Sequence, residues 1–188
     1  MFNRGETLAD AEGGFHPGDR LDGDRPAGHE VLTAVYVGVL TVHSWLRWAT
    51  LALAIGATLN AGLRRDADVS AGMPGRHWDT YFMLALDLQV LFGLALYFGL
   101  SPYTAQAFAN FGAAMRNPAL RFWAIQHIGT MAAAVLLVRL GRVLALTAKS
   151  GAARRRRRLI FFALTTLTII FGIPWPGLQS GRPLIRMP

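Results

Sequence analysis

Residues 31–63 read VLTAVYVGVLTVHSWLRWATLALAIGATLNAGL, and they contain one histidine, His43, and one charged residue, Arg47. All the other side chains of this segment are apolar, small or uncharged. A helix needs about 20 predominantly apolar residues to cross a hydrocarbon core of roughly 30 Å, so the segment is long enough to span a membrane. Ionisable residues at such a depth are costly and normally serve a function or pair with a partner.

Three further apolar blocks follow, separated by polar loops. The blocks cover residues 78–100, 122–138 and 159–173, and their only charged residues or histidines are Asp79 and Asp87 in the second block of the chain and His127 in the third. The chain is 53% hydrophobic and has a positive mean hydropathy, which is unusual for a soluble domain of 188 residues. We therefore predict an all-α membrane protein, a bundle of four transmembrane helices. The helices are expected at about residues 31–63, 78–100, 121–142 and 158–174.

Polar segments flank the predicted four-helix domain, which covers residues 31–176. Residues 1–30 carry seven acidic side chains and three arginines, and they lack the apolar stretch that a signal peptide needs. We predict that they form a polar extracytoplasmic N-terminal tail. Residues 177–188 follow the last apolar block, and we predict that they form an extracytoplasmic C-terminal tail.

Basic residues cluster in two of the predicted loops. They are Arg64, Arg65 and Arg76 after the first block, and Arg139, Arg142, Lys149 and Arg154–Arg158 between the third and the fourth. Loops rich in lysine and arginine stay in the cytoplasm, so we predict that both termini face outwards. The formal net charge of +8 is then mainly a topology signal. The arginine run suits anionic lipid head groups, and we expect no nucleic-acid partner.

Several classes of enzyme are disfavoured by what the chain lacks. It has no cysteine, so thiolate chemistry and disulfides are excluded. It contains no HExxH, GxSxG, GxGxxG or P-loop pattern. No acidic residue follows Asp87, so the C-terminal half has no carboxylate for acid–base chemistry. We therefore assign no catalytic residues and do not expect an enzyme that works on its own.

The two intramembrane histidines are predicted to lie at similar depths. Counted back from Arg64 at about 1.5 Å per residue, His43 is near the outer edge of the hydrocarbon core. His127 lies in the outer half of the third helix, which runs in the same direction as the first. Two such histidines in one small bundle can face each other across its interior.

This arrangement leads to two interpretations. In the first, His43 and His127 are the two axial ligands of one haem b inside the bundle. Arg47 and Arg121, on the same outer side, are then the candidate partners of the haem propionates. In the second, the histidines belong to a polar network that only fixes helix packing. In either case Asp87 needs a partner, and Arg47 is the nearest candidate by depth.

Four segments of the chain carry a family resemblance. They are HSWLRW (43–48), DLQVLFGLALYF (87–98), FGAAMRNPALRFWAIQH (111–127) and GIPWP (172–176). In this order they resemble small bacterial four-helix integral membrane proteins labelled cytochrome b-like, over about residues 36–176. By that resemblance His43 and His127 match the family's histidines in the first and third helices. Asp87 stands where a second-helix histidine is expected, which argues against a second haem.

The resemblance implies a multi-pass protein of the bacterial cytoplasmic membrane. We expect an accessory subunit of a respiratory or photosynthetic electron-transfer complex, with one haem near the outer face. One outer haem cannot carry electrons across a core of about 30 Å, so a quinol, an extracytoplasmic cytochrome or a neighbouring membrane subunit must take part. The alternative is a haem-free structural subunit that packs against partner membrane subunits and clamps them with its tails.

Overall fold

The computed structural model describes residues 27–63, 76–178 and 180–184. In these ranges the chain is helical and contains no strand. The α-helices are α1 (Ala27–Leu63), α2 (Arg76–Ala95), α3 (Pro102–Ala109), α4 (Phe111–Arg116), α5 (Pro118–Arg121), α6 (His127–Leu146) and α7 (Gly151–Gly172). Two π-helical turns are also present: Leu96–Leu100 continues α2, and Phe122–Gln126 joins α5 to α6. The predicted tail residues 1–26, the loop arginines Arg64 and Arg65, and residues 185–188 lie outside the described residues.

The four long helices α1, α2, α6 and α7 pack side by side. Helix α1 packs along α2 and α7, and α7 packs along α6, whereas α2 and α6 touch only sparsely. Helices α1 and α6 therefore lie across the bundle from each other. The short helices α3, α4 and α5 cover one end of the bundle, which we call the capped end.

The core of the bundle combines a few large side chains with many small ones. Phe82 and Phe162 are almost fully buried and meet edge to face, with ring centroids 5.9 Å apart. Buried alanines on α1 and α6 allow the neighbouring helices to approach closely. Gly141 has the same role, because a Cβ at this position would collide with Phe161 of α7.

Two stretches are long and apolar enough to cross a membrane, His77–Leu100 and Pro118–Leu146. Only 28% and 22% of their apolar windows are buried within the chain, so most of these side chains face outwards. This exposure differs from that of a core helix in a soluble protein, which is mostly covered. The prediction of an all-helical chain with membrane-spanning character is confirmed at this level. Helices α1 and α7 are also long, and the arginine run at its start makes α7 the least hydrophobic of the four.

The arginine run was predicted to lie in a loop, and this prediction is wrong. Helix α7 begins at Gly151 instead of near residue 158, so Arg154–Arg158 form its first turns. Ser150 caps the helix, and its Oγ accepts a hydrogen bond from the backbone N–H of Ala153 at 3.2 Å. Arginine is a good helix former, and its long side chain lets the charge reach a polar partner from within a helix.

Three of these arginines bind to the neighbouring helices. Arg155 donates to the carbonyls of Ala61 and Gly62, at the C-terminal end of α1. Arg157 donates to the carbonyl of Leu144 at 2.6 Å, near the end of α6. These carbonyls belong to the last turns of their helices, where no backbone N–H of the same helix is available, so the arginines help to satisfy them. The carbonyl of Leu144 also accepts from the hydroxyl of Thr147 at 3.2 Å. Arg158 pairs with Asp79 at 2.6 Å.

Asp87 pairs with a different arginine from the one predicted. Its carboxylate binds Arg139 of α6, with both oxygens 2.5 Å from Nη2. The two side chains are 47% and 46% exposed, so the pair lies on the outside of the sparse contact between α2 and α6. Arg47 lies at the capped end of the bundle and binds elsewhere. Asp87 cannot pair with Arg47 because of the rotation of α2 about its axis. Asp87 faces α6, whereas Gln89, two residues later, faces α1.

Candidate cofactor site

A π-helical turn sets the direction of His127. The turn Phe122–Gln126 immediately precedes His127, the first residue of α6. A π-helical turn holds more residues than an α-helical one, so it rotates the following side chains relative to a regular α-helix. The hydroxyl of Tyr97, in the other π-helical turn, donates to the carbonyl of Ala124 at 2.7 Å. This bond ties the two irregular turns together beside the site.

His127 is held by the end of α7. Its Nδ1 lies 2.9 Å from the carbonyl oxygen of Gly172. A carbonyl can only accept, so Nδ1 carries the proton and Nε2 has a free lone pair. Ring contacts with Phe122 and Trp123 at 5.7 and 5.4 Å enclose the imidazole. The hydrogen bond and the ring contacts therefore fix the orientation of the His127 side chain.

His43 is held by α2. Its Nε2 lies 3.2 Å from the amide nitrogen of Gln89. Nδ1 of His43 and Oε1 of Gln89 are buried and have no hydrogen-bond partner among the described residues. Turning the amide over would exchange the donor and the acceptor but would leave Nδ1 unpaired. Gly93 allows the close approach, because a Cβ there would lie 3.2 Å from Cε1 of His43.

The imidazole of His43 on α1 lies next to that of His127 on α6. Their ring centroids are 6.4 Å apart and their planes differ by 74°. Metal–imidazole bonds are about 2 Å long, so two imidazoles on opposite sides of one metal ion have centroids roughly 6 Å apart. The observed separation matches this arrangement. The structure thus brings His43 and His127 close together.

A cavity of about 100 Å³ at the capped end is lined by both histidines. It is mostly apolar, and its polar wall includes tyrosine hydroxyls and arginines. The lining residues that matter most to its chemistry are His43, His127, Gln89, Tyr36, Tyr97, Tyr103, Arg47 and Arg182. The volume is enough for several water molecules or one small ring. It is smaller than the roughly 300 Å³ of a typical pocket for a drug-sized ligand.

The C-terminal segment folds back over this end of the bundle. We call residues 174–178 and 180–184 the C-terminal strap. The backbone carbonyl of Leu184 accepts hydrogen bonds from Nη2 of Arg47 at 2.9 Å and from Nε1 of Trp48 at 2.8 Å. The ring of Trp175 meets that of Trp48 edge to face at 6.3 Å. Both contacts fix the strap to α1.

The two arginines predicted to meet propionates are not equivalent. Arg47 lines the cavity, whereas Arg121 does not. The guanidinium of Arg121 instead donates to the carbonyl of Met115 at 3.3 Å. The structure brings Arg182 of the strap to the cavity instead. Nothing in the sequence around Arg182 signals this position, because a Pro/Gly-rich segment is compatible with many paths. Tyr97 was also missed, since tyrosines near a helix end are usually interfacial anchors.

Two histidines are enough protein ligands only for a metal ion whose other ligands come from a bound cofactor. Among the residues that the structure describes, no group of three or more His, Asp or Glu side chains comes together. A structural zinc site needs four protein ligands and a catalytic one needs three. Two histidines would be a sufficient protein ligand set for a haem iron, whose other ligands come from the macrocycle. The bond from His127 to Gly172 is the outer contact that commonly orients a metal-binding histidine.

No protein-family model, no curated protein and no solved structure matches this chain. The resemblance to cytochrome b-like proteins therefore rests on the four segments quoted above. The interpretation of the site rests on its geometry.

Proposed function

We propose that the chain is a multi-pass protein of the bacterial cytoplasmic membrane, with four spanning helices and both termini outside. The support is the packing of α1 and α7 against the two apolar stretches, together with the outward-facing apolar side chains of all four helices. The arginines of α7 are then on the cytoplasmic side, and the capped end of the bundle is on the outer side. The exposed Arg156 is free to meet anionic lipid head groups.

We further propose that the protein carries one haem b and serves as an electron-carrying accessory subunit of a respiratory or photosynthetic complex. The observation that carries this proposal is the 6.4 Å separation of the His43 and His127 rings. When bound between two imidazoles, haem supplies a one-electron carrier. His127 would contribute Nε2, because Gly172 occupies Nδ1, and His43 would contribute a ring nitrogen. The apolar walls shield the site from water.

The position of the proposed haem site at one end of the bundle indicates which electron-transfer partners it needs. The histidines lie at the capped end, so the electron has to travel a further distance to reach the cytoplasmic side. One site of this kind therefore works with a quinol, an extracytoplasmic cytochrome or a cofactor of a neighbouring membrane subunit. This is why we propose an accessory subunit and not an enzyme that is complete in itself.

A second candidate function is that of a haem-free structural subunit that packs against partner membrane subunits. Two observations favour it. The cavity of about 100 Å³ is too small for a porphyrin unless the helices move apart. The hydrogen bonds of His43 to Gln89 and of His127 to Gly172 also link α1 to α2 and α6 to α7, as packing residues would.

One measurement separates the two candidates. The full-length protein is purified in mild detergent, and a reduced-minus-oxidised visible spectrum is recorded together with a quantitative haem extraction. The proposal requires a b-type spectrum with close to one haem per chain. A protein that is folded, bound to its native partners and free of haem would establish the structural role instead.

A further inference from the structure

Arg182 approaches the cavity from the C-terminal strap and has an unusual environment. Its guanidinium carbon lies 4.5 Å from the ring centroid of Tyr103 and 5.2 Å from that of Trp123. The backbone N–H of Arg182 donates to the carbonyl of Pro174 at 3.1 Å, which fixes the start of the side chain. In the part of the chain that the structure describes, no acidic side chain pairs with this guanidinium. Stacked and held in this way, it keeps its N–H donors for another partner.

Arg47 approaches the same cavity from α1. One of its terminal nitrogens binds the carbonyl of Leu184, and its Nε is buried without a hydrogen-bond partner among the described residues. Arg47 therefore also has a donor to spare. Both arginines line one cavity, and the strap that carries Arg182 is fastened by Arg47 itself. The result is a local concentration of positive charge at one end of an otherwise apolar space.

Among the described residues, no carboxylate forms an ion pair with Arg47 or Arg182. The sequence has no acidic residue after Asp87. Asp79 and Asp87 are engaged by Arg158 and Arg139. Burying or half-burying two cations without an anion is unfavourable, whereas an anionic group makes charge-assisted hydrogen bonds with them. An arginine fork matches a carboxylate particularly well.

We propose that Arg182, together with Arg47, is the anion-recognition end of the cavity and that it binds a carboxylate of the cavity's ligand. This inference rests on the proposed function, in which that carboxylate is a haem propionate. It assigns the recognition to the strap and not to Arg121. The strap is then part of the binding site, and the ligand's acid group holds it closed over the bundle.

The test compares haem with its dimethyl ester, in which both propionates are neutral. Full-length protein produced in haem-deficient cells is titrated with each compound, and the dissociation constants are read from the visible absorbance. We expect Arg182→Gln to weaken haem binding by about tenfold and to leave the binding of the ester within about twofold. Arg182→Lys, which keeps the charge, should retain part of the affinity. Arg121→Gln is the matched control and should bind both compounds like the wild type.

The outcomes separate this inference from the proposed function. If the wild type binds neither compound, the proposed function fails and the inference fails with it. If the wild type binds haem but Arg182→Gln binds it equally well, only the inference is overturned. An equal loss for haem and for the ester would also overturn it, because Arg182 would then hold the strap without recognising the acid group. Thermal unfolding of each variant confirms that the compared proteins are folded.

Discussion

His127 donates its Nδ1 proton to the carbonyl of Gly172 across 2.9 Å, and this bond joins the start of α6 to the end of α7. The last carbonyls of a helix have no partner within the helix, so the imidazole satisfies one of them. The same bond leaves Nε2 as the free nitrogen and fixes the ring in place. Outer contacts of this kind orient the histidines of metal sites and raise their basicity. The relationship thus connects helix packing to the proposed chemistry.

The first prediction concerns the two histidines. His43→Ala and His127→Ala each remove one of the two opposed imidazoles, so each should abolish the b-type absorbance of the purified protein. His77→Ala is the control, because this residue stacks on Tyr81 at the start of α2 and does not line the cavity. Full haem retention in either cavity variant would show that the residue is not a ligand.

The second prediction concerns the contact between His43 and Gln89. Replacing either residue with leucine leaves the other buried and unpaired, which should lower the free energy of unfolding by about 1–3 kcal/mol. The double variant should lose less than the sum of the two single losses, by about 1 kcal/mol. Unfolding is followed by denaturant titration in detergent micelles. Strictly additive losses would mean that the two side chains do not depend on each other.

The third prediction concerns the ion pair between Asp87 and Arg139. Asp87→Asn leaves the guanidinium unpaired beside an apolar surface, so the unfolding free energy should fall by about 1–3 kcal/mol. The charge-reversed double variant, Asp87→Arg with Arg139→Asp, should recover most of this loss. Arg142→Gln is a suitable control, because Arg142 donates a hydrogen bond to the sulfur of Met83 at 3.6 Å and forms no ion pair with Asp87. Failure of the reversed pair to recover stability would contradict a direct interaction.

The fourth prediction concerns the close packing of α6 on α7. Gly141→Ala would drive its new methyl group into Phe161, whose Cγ lies 2.8 Å from the ideal Cβ position. Because that contact is near the backbone of α7, the helices must separate, and we expect a loss of about 1–3 kcal/mol. Gly38→Ala has nothing within 4 Å and should gain up to about 1 kcal/mol from helix propensity. The two variants should therefore shift the thermal midpoint in opposite directions.

The fifth prediction concerns orientation. The chain has no cysteine, so single cysteines can be introduced without background. We choose the variants Gln106→Cys and Lys149→Cys, because both positions are exposed. Gln106 lies on α3 at the capped end, and Lys149 lies between α6 and α7. In intact cells, a membrane-impermeant maleimide should label only the first, and in inverted vesicles only the second. The opposite pattern would reverse the proposed topology, and lysed cells should show labelling of both.

Much of the helical architecture could be predicted from the sequence because apolar blocks and loop charges act locally. The blocks required helices, and the described residues are helical. The boundaries were less accurate where arginines continue a helix, as at the start of α7. The short helices α3–α5 and the two π-helical turns were not predicted, because their signals are weak compared with those of a long apolar run.

The sequence alone was enough to predict the depth of each residue along its helix. Each residue of a helix rises by about 1.5 Å, so counting residues was enough to expect His43 and His127 at compatible depths. Only the tertiary structure decided rotation and long-range contact. It paired Asp87 with Arg139 instead of Arg47, and it brought Arg182 to the cavity in place of Arg121. The physical reason is that the rotation of each helix about its axis depends on helix packing and, for α6, on a π-helical turn. The path of the strap depends on contacts between residues more than 130 positions apart in the chain.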